Sequence, residues 1–131
     1  MINPYSFIEL YSYKQDHPLG EPILDAMLPL MIEHPGIRAR QIARQLDVRQ
    51  NDLSGAVRIL TGYSLDPLLS QWRMYKALEL LRTTNLSFTE IARICGYRQN
   101  KHLAKAMKRA LKMTPFEYRN GYRRTVERPT K

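Results

Sequence analysis

Residues 87–119 read SFTEIARICGYRQNKHLAKAMKRALKMTPFEYR, and this stretch decides the fold. Ser87-Phe88-Thr89-Glu90 has the form of a capping box. In such a box the Ser87 hydroxyl accepts from the N–H of Glu90, and the Glu90 carboxylate reaches back to the N–H of Ser87. Leu86 and Ile91 stand where a hydrophobic staple would close over the helix start. A short helix is therefore predicted from Phe88, with Ile91, Ala92 and Cys95 on its apolar face and Gly96 ending it. A second helix follows, because Leu103, Ala106, Met107, Ala110 and Leu111 recur at three- and four-residue spacing. Its other face carries Lys101, Lys105, Lys108, Arg109 and Lys112. Ala92 is small where two helices would cross closely, and Gly96 supplies a positive φ for the turn. Short helix, tight turn and basic second helix spell a helix-turn-helix. On this stretch alone the alternative is an αα-hairpin of an ordinary helical bundle, with its lysines solvated.

The totals narrow the choice. A chain of 131 residues forms one domain or two very small ones and is long enough to bury a core. Lys and Arg number 21 against 12 Asp and Glu, a net charge of +9, which points to a polyanionic partner. The charge is uneven: residues 1–36 carry −4, residues 37–131 carry +13, and residues 93–131 alone carry +10. Cys95 is the only cysteine, as in a reducing compartment. No signal-peptide pattern opens the chain and no apolar run spans a bilayer, so a soluble, cytoplasmic protein without membrane partners is expected. There is no phosphate-cradling Gly-rich motif, no nucleophile–base or carboxylate pair in register, and His17, His34 and His102 lack metal-ligand spacing. Neither an enzyme nor a metal or cofactor site is expected.

Upstream, Pro22–His34 reads as a helix with Ile23, Leu24, Met27, Leu28, Met31 and Ile32 inward. Pro29 lies well inside it and predicts a kink or break near Leu28, since an interior proline costs about 3 kcal/mol. Arg38–Leu46 is a short helix with Ile42, Ala43 and Leu46 inward. Asp47-Val48-Arg49 is a turn, and Gln50–Leu60 is a helix with Leu53, Ala56, Val57 and Leu60 inward, closed by Gly62. This repeats the later plan: Ile42-Ala43 answers Ile91-Ala92 and Leu53 answers Leu103, with 49 residues from Ala43 to Ala92. An internal repeat is far stronger than one motif match.

Between the units, Asp66 caps a helix over residues 67–82 with Pro67 at its first position and Leu68, Leu69, Trp72, Tyr75, Leu78 and Leu81 as its inner stripe. Sixteen helical residues span about 24 Å, a suitable strut for two reading heads roughly one DNA turn, ~34 Å, apart. Arg73 and Lys76 fall on its outer face, within reach of phosphate. Thr114 caps a last helix that begins at Pro115 and runs to about Arg124. At the other end, Asn3-Pro4 opens an extra N-terminal helix with Phe7, Ile8 and Tyr11 on one face. The division is thus an extension (1–20), a first helix-turn-helix subdomain (21–63), a linker helix (64–84), a second subdomain (85–124) and a basic tail (125–131). The fold class is all-α.

From about Ile37 to Arg124 the chain resembles the DNA-binding domain of the AraC/XylS family of bacterial transcription regulators. The matching residues are Ile42-Ala43, Leu53 and Gly62; Arg73, Ala77 and Leu81; and Ile91-Ala92, Gly96-Tyr97 and Thr114-Pro115-x-x-Tyr118-Arg119. The resemblance implies seven helices and two recognition helices, about 50–60 and 99–111, entering successive major grooves of a promoter. It also implies contact with RNA polymerase as an activator. The chain also resembles the short, MarA-like members without a large sensor domain, which act as monomers on double-stranded DNA. Where the family usually has Ser-Tyr-Phe this chain has Lys101-His102-Leu103, so its base preference is expected to be its own.

Base-reading candidates are Asn51, Ser54, Asn100, Lys101, His102 and Lys105; lysines one turn apart can donate to guanine O6 and N7 or to phosphate. Phosphate candidates are Arg49, Arg58, Arg73, Lys76, Arg98 and Lys108. By the resemblance, the first reading face is Asn51, Asp52, Ser54, Gly55 and Arg58. An acid and a glycine there are poor for phosphate contact, so the second unit is expected to dominate. The alternative function is a protein-interaction module on the same fold with only non-specific DNA affinity.

Overall fold

The computed structural model describes residues 22–127, with side chains to Tyr122. The N-terminal helix expected over the first twenty residues and the end of the basic tail lie outside them. The described residues form seven helices and no strand: α1 (Pro22–Glu33), α2 (Ala39–Gln45), α3 (Gln50–Thr61), α4 (Leu65–Thr83), α5 (Phe88–Ile94), α6 (Asn100–Leu111) and α7 (Pro115–Glu127). The chain divides into two compact units, one through Arg73 and one from Met74 onward, so the division falls inside α4.

In the first unit, α1 contributes Leu24, Met27, Leu28 and Met31, the last three with no exposed surface. The helix continues through Pro29, so of the expected kink or break there is no break. A proline removes one intrahelical bond, whereas each fully buried Leu or Met contributes about 1.5–3 kcal/mol, so burial outweighs the defect. Ile32, expected inward, is 45% exposed. Met31 has a second proline problem: its carbonyl would accept from residue 35, which is Pro35 and has no N–H. The Trp72 indole N–H fills that role at 2.9 Å, from inside the core. Ile42, Ala43, Leu53 and Val57 seat α2 against α3, as the periodicity predicts. Leu60 is an exception at 37% exposed; Thr61 takes the inner position and donates its hydroxyl to the Val57 carbonyl.

Helix α4 starts earlier than expected, at Leu65, with the Leu68 N–H bonded to the Ser64 carbonyl. Pro67 then occupies the third helical position, which costs nothing because N–H groups of the first turn have no intrahelical acceptor. Its buried residues follow no single stripe. Leu65, Leu68, Leu69 and Trp72 are buried in the first unit, and Met74, Ala77 and Leu81 join the core of the second. Tyr75 and Leu78, expected inward, are half-buried.

The second unit's core is Ile91, Ala92, Cys95, Leu103 and Met107 around the end of α4, with Leu86, Tyr97 and Tyr118 packed on it. Ser87 caps α5, accepting from the Glu90 N–H at 3.1 Å. The other arm of the expected box differs, because the Glu90 carboxylate accepts from the Ser87 hydroxyl at 3.0 Å. Thr114 and Glu117 form a full reciprocal box at the start of α7, and hydrogen bonding from Thr114, its backbone N–H first, holds the Glu117 carboxyl below its ordinary pKa. Arg119 closes the end of α4: its Nε donates to the Leu81 carbonyl at 3.1 Å and Nη2 to that of Thr84 at 3.2 Å, with Phe88 beneath the guanidinium. Ala110 and Leu111, expected inward, are exposed; the apolar face of α6 ends at Met107.

Candidate nucleic-acid interface

Each unit presents a helix beyond a tight turn, and the two turns share one backbone design. After α5, Gly96 takes φ +82°, its N–H bonds the Arg93 carbonyl at 3.2 Å, and the Tyr97 N–H bonds the Ala92 carbonyl at 2.8 Å. After α2, Asp47 takes φ +54°, bonds Arg44 at 3.2 Å, and Val48 bonds Ala43 at 3.0 Å. These are the paired bonds of a Schellman motif, which stop the first helix and turn the chain sharply into the second.

Beyond the second turn, Leu103 and Met107 anchor α6 with no exposed surface, which fixes the rotation of the helix. Asn100, Lys101, His102, Lys105 and Lys108 are all exposed on its remaining circumference, and so is Arg98 just before it. Asn100 is steadied by donating its amide to the Thr89 hydroxyl at 3.2 Å. Helix α6 carries Lys101, Lys105, Lys108 and Arg109 with no acid, a local field suited to a polyanion.

Beyond the first turn, Leu53 and Val57 anchor α3 in the same way. Arg49, Asn51 and Arg58 are exposed and Ser54 is half-buried. Asp52 and Arg58 cancel in charge. A Cβ built on Gly55 meets nothing within 4 Å, so the fold itself does not require glycine there.

Two residues are not where the sequence places them. Arg73 is only 9% exposed, beside Asp66 and Ser70 in a hollow of about 400 Å³. Lys76 is half-buried and paired to Glu79 at 2.7 Å. The expected outer face of α4 does not exist at these positions, because Arg73 is buried within the first unit and Lys76 is half-buried and ion-paired within the second. Among the described residues no cluster of His, Cys, Asp and Glu could hold a metal ion, and no helix is long and apolar enough to cross a membrane.

Residues 42–121 match the family described as a helix-turn-helix domain. The DNA-binding domain of AdpA, a global transcriptional factor solved in complex with a target DNA, is 25% identical with a TM-score of 0.72, over 84% of this chain and 100% of that one. The C-terminal domain of AraT, a response regulator from Geobacillus stearothermophilus, is 30% identical with a TM-score of 0.68, over 79% and 87%. The xylose operon regulatory protein of Escherichia coli strain K12 is 28% identical over 85 residues, 65% of this chain and 22% of that protein. The chain therefore belongs to the AraC/XylS-type family of helix-turn-helix domains. Its match spans about a fifth of the length of that curated relative.

Proposed function

We propose that the chain is a sequence-specific, double-stranded-DNA-binding transcription regulator that inserts α3 and α6 into successive major grooves. The observation that carries this reading is the exposed face of α6, where Asn100, Lys101, His102 and Lys105 surround a helix held rigidly by buried Leu103 and Met107. Lys101 and Lys105 are one turn apart and donate to base edges or phosphate; Arg98 and Lys108 take phosphate on either side. In the first unit Asn51 and Ser54 read weakly, and Arg49 and Arg58 take phosphate. The second unit dominates, since α6 has four cations where α3 has a cancelling Asp52–Arg58 pair.

Selection from a random duplex library near physiological salt tests this. The expected result is an asymmetric motif of two blocks about one DNA turn, ~34 Å, apart, the stronger block being lost with Lys101→Ala plus Lys105→Ala. Equal, salt-sensitive affinity for every duplex would overturn the reading. A greater loss from Asn51→Ala plus Ser54→Ala would overturn the dominance of the second unit.

A further inference from the structure

The positive charge of the two units sits on opposite helices of the motif. By the 49-residue correspondence, Arg38, Arg40 and Arg44 stand where the second unit has Ser87, Thr89 and Arg93. Helix α2 with its leading residue thus carries three arginines and no acid, whereas α5 carries the cancelling pair Glu90 and Arg93. For the helices after the turns the pattern is reversed: α3 is neutral and α6 is strongly basic.

The α2 arginines also form a place. Arg38, Arg40, Gln41 and Arg44 alone line a hollow of about 320 Å³. The Gln41 side chain is held there by the Arg38 N–H at 2.8 Å; arginine has no side-chain acceptor, so only this half of a capping box forms. Arg40 and Arg44 are exposed, one turn apart, and neither has an ion-pair partner among the described residues. Like charges at that spacing repel along a helix, so the arrangement is unfavourable until an anion lies between them. Guanidinium groups match phosphate oxygens in paired hydrogen bonds, and the first helix of a helix-turn-helix is the one that crosses the DNA backbone.

We infer that Arg40 and Arg44, with Arg38 beside them, form a backbone-phosphate clamp on α2, by which the first unit grips the DNA backbone independently of the weak reading by α3. The inference rests on the DNA-binding reading above and assigns the first unit a positioning role.

The test is a salt titration of the full chain on one fixed duplex, comparing wild type, Arg40→Ala plus Arg44→Ala, and Arg40→Lys plus Arg44→Lys. Both side chains are exposed, so thermal melts should coincide. Losing two phosphate contacts should make the slope of log K against log salt shallower by about 1.8, at ~0.9 per contact. Base preference should stay unchanged, and the lysine pair should keep most of the slope. An unchanged slope in the alanine pair would overturn the clamp while leaving the DNA-binding reading intact, as would a change in base preference at constant slope. A wild-type chain without salt-dependent duplex affinity would overturn both.

Discussion

Asp47 and Gly96 hold the same backbone position in the two turns, at φ +54° and +82°, each just past the end of the first helix of its unit. The helices after the turns end with the assignment exchanged: Gly62 at φ +79° closes α3, and Lys112 at φ +61° closes α6. Each unit therefore has one left-handed position filled by glycine and one filled by a residue with a Cβ. Left-handed backbone is strained for any residue with a Cβ, less so for Asp. Asp47→Gly and Lys112→Gly should each raise stability by about 0.5–1 kcal/mol. Gly96→Ala should lower it by about 1–2 kcal/mol. Urea melts read all three, and an Asp47→Gly variant less stable than wild type would contradict the argument.

Trp72→Phe keeps most of the apolar volume but removes the donor that replaces the missing Pro35 N–H at the Met31 carbonyl. A buried acceptor left unpaired costs about 1–3 kcal/mol, and that loss should appear as a lower urea midpoint. Pairing the change with Pro35→Ala, which restores a backbone donor, should recover part of it.

Arg119→Lys should destabilise the second unit by about 1–2 kcal/mol despite retaining the charge. One ammonium cannot reproduce the fork that donates to the Leu81 and Thr84 carbonyls while lying over Phe88. Differential scanning calorimetry of the variant should show the loss at unchanged net charge.

Cys95 is fully buried, and burial pushes its thiol up to about 11 from 9.0; nearby Lys76 opposes this only in part. The folded thiol binds its proton more tightly than the unfolded one. Its contribution to stability is complete below about pH 9 and is lost as pH rises through about 11. Wild type should therefore lose stability more steeply than Cys95→Ala across that interval. Parallel slopes in chemical denaturation would remove the thiol from the account.

Much of this architecture was legible because it rests on local chemistry. Ser87 and Thr114 as caps, Gly62 and Gly96 as stops, and the Leu53/Val57 and Leu103/Met107 anchors each follow from residue type and spacing within one turn. What escaped depends on what lies across the helix. A uniform period predicts one buried stripe on α4, but its early residues and its late residues belong to different cores, so Arg73 and Lys76 lose the solvent face that spacing alone assigns them. Ile32, Leu60 and Leu111 carry the right period but sit in the last turns of their helices and are 45%, 37% and 37% exposed, the inner positions there going to Met31 in α1 and Thr61 in α3. The exposed face of α6 was readable as a run of cations, whereas the basic character of α2 lies in the contrast between Arg38, Arg40 and Arg44 and their counterparts Ser87, Thr89 and Arg93.

The positions of Trp72 and Cys95 give the molecule two native reporters. The chain has one tryptophan and one cysteine, and they fall in different units, both buried. Indole fluorescence follows the opening of the first unit, and thiol labelling that of the second. Without any engineered probe site, a single sample can show whether the two halves of the chain come apart together or in turn.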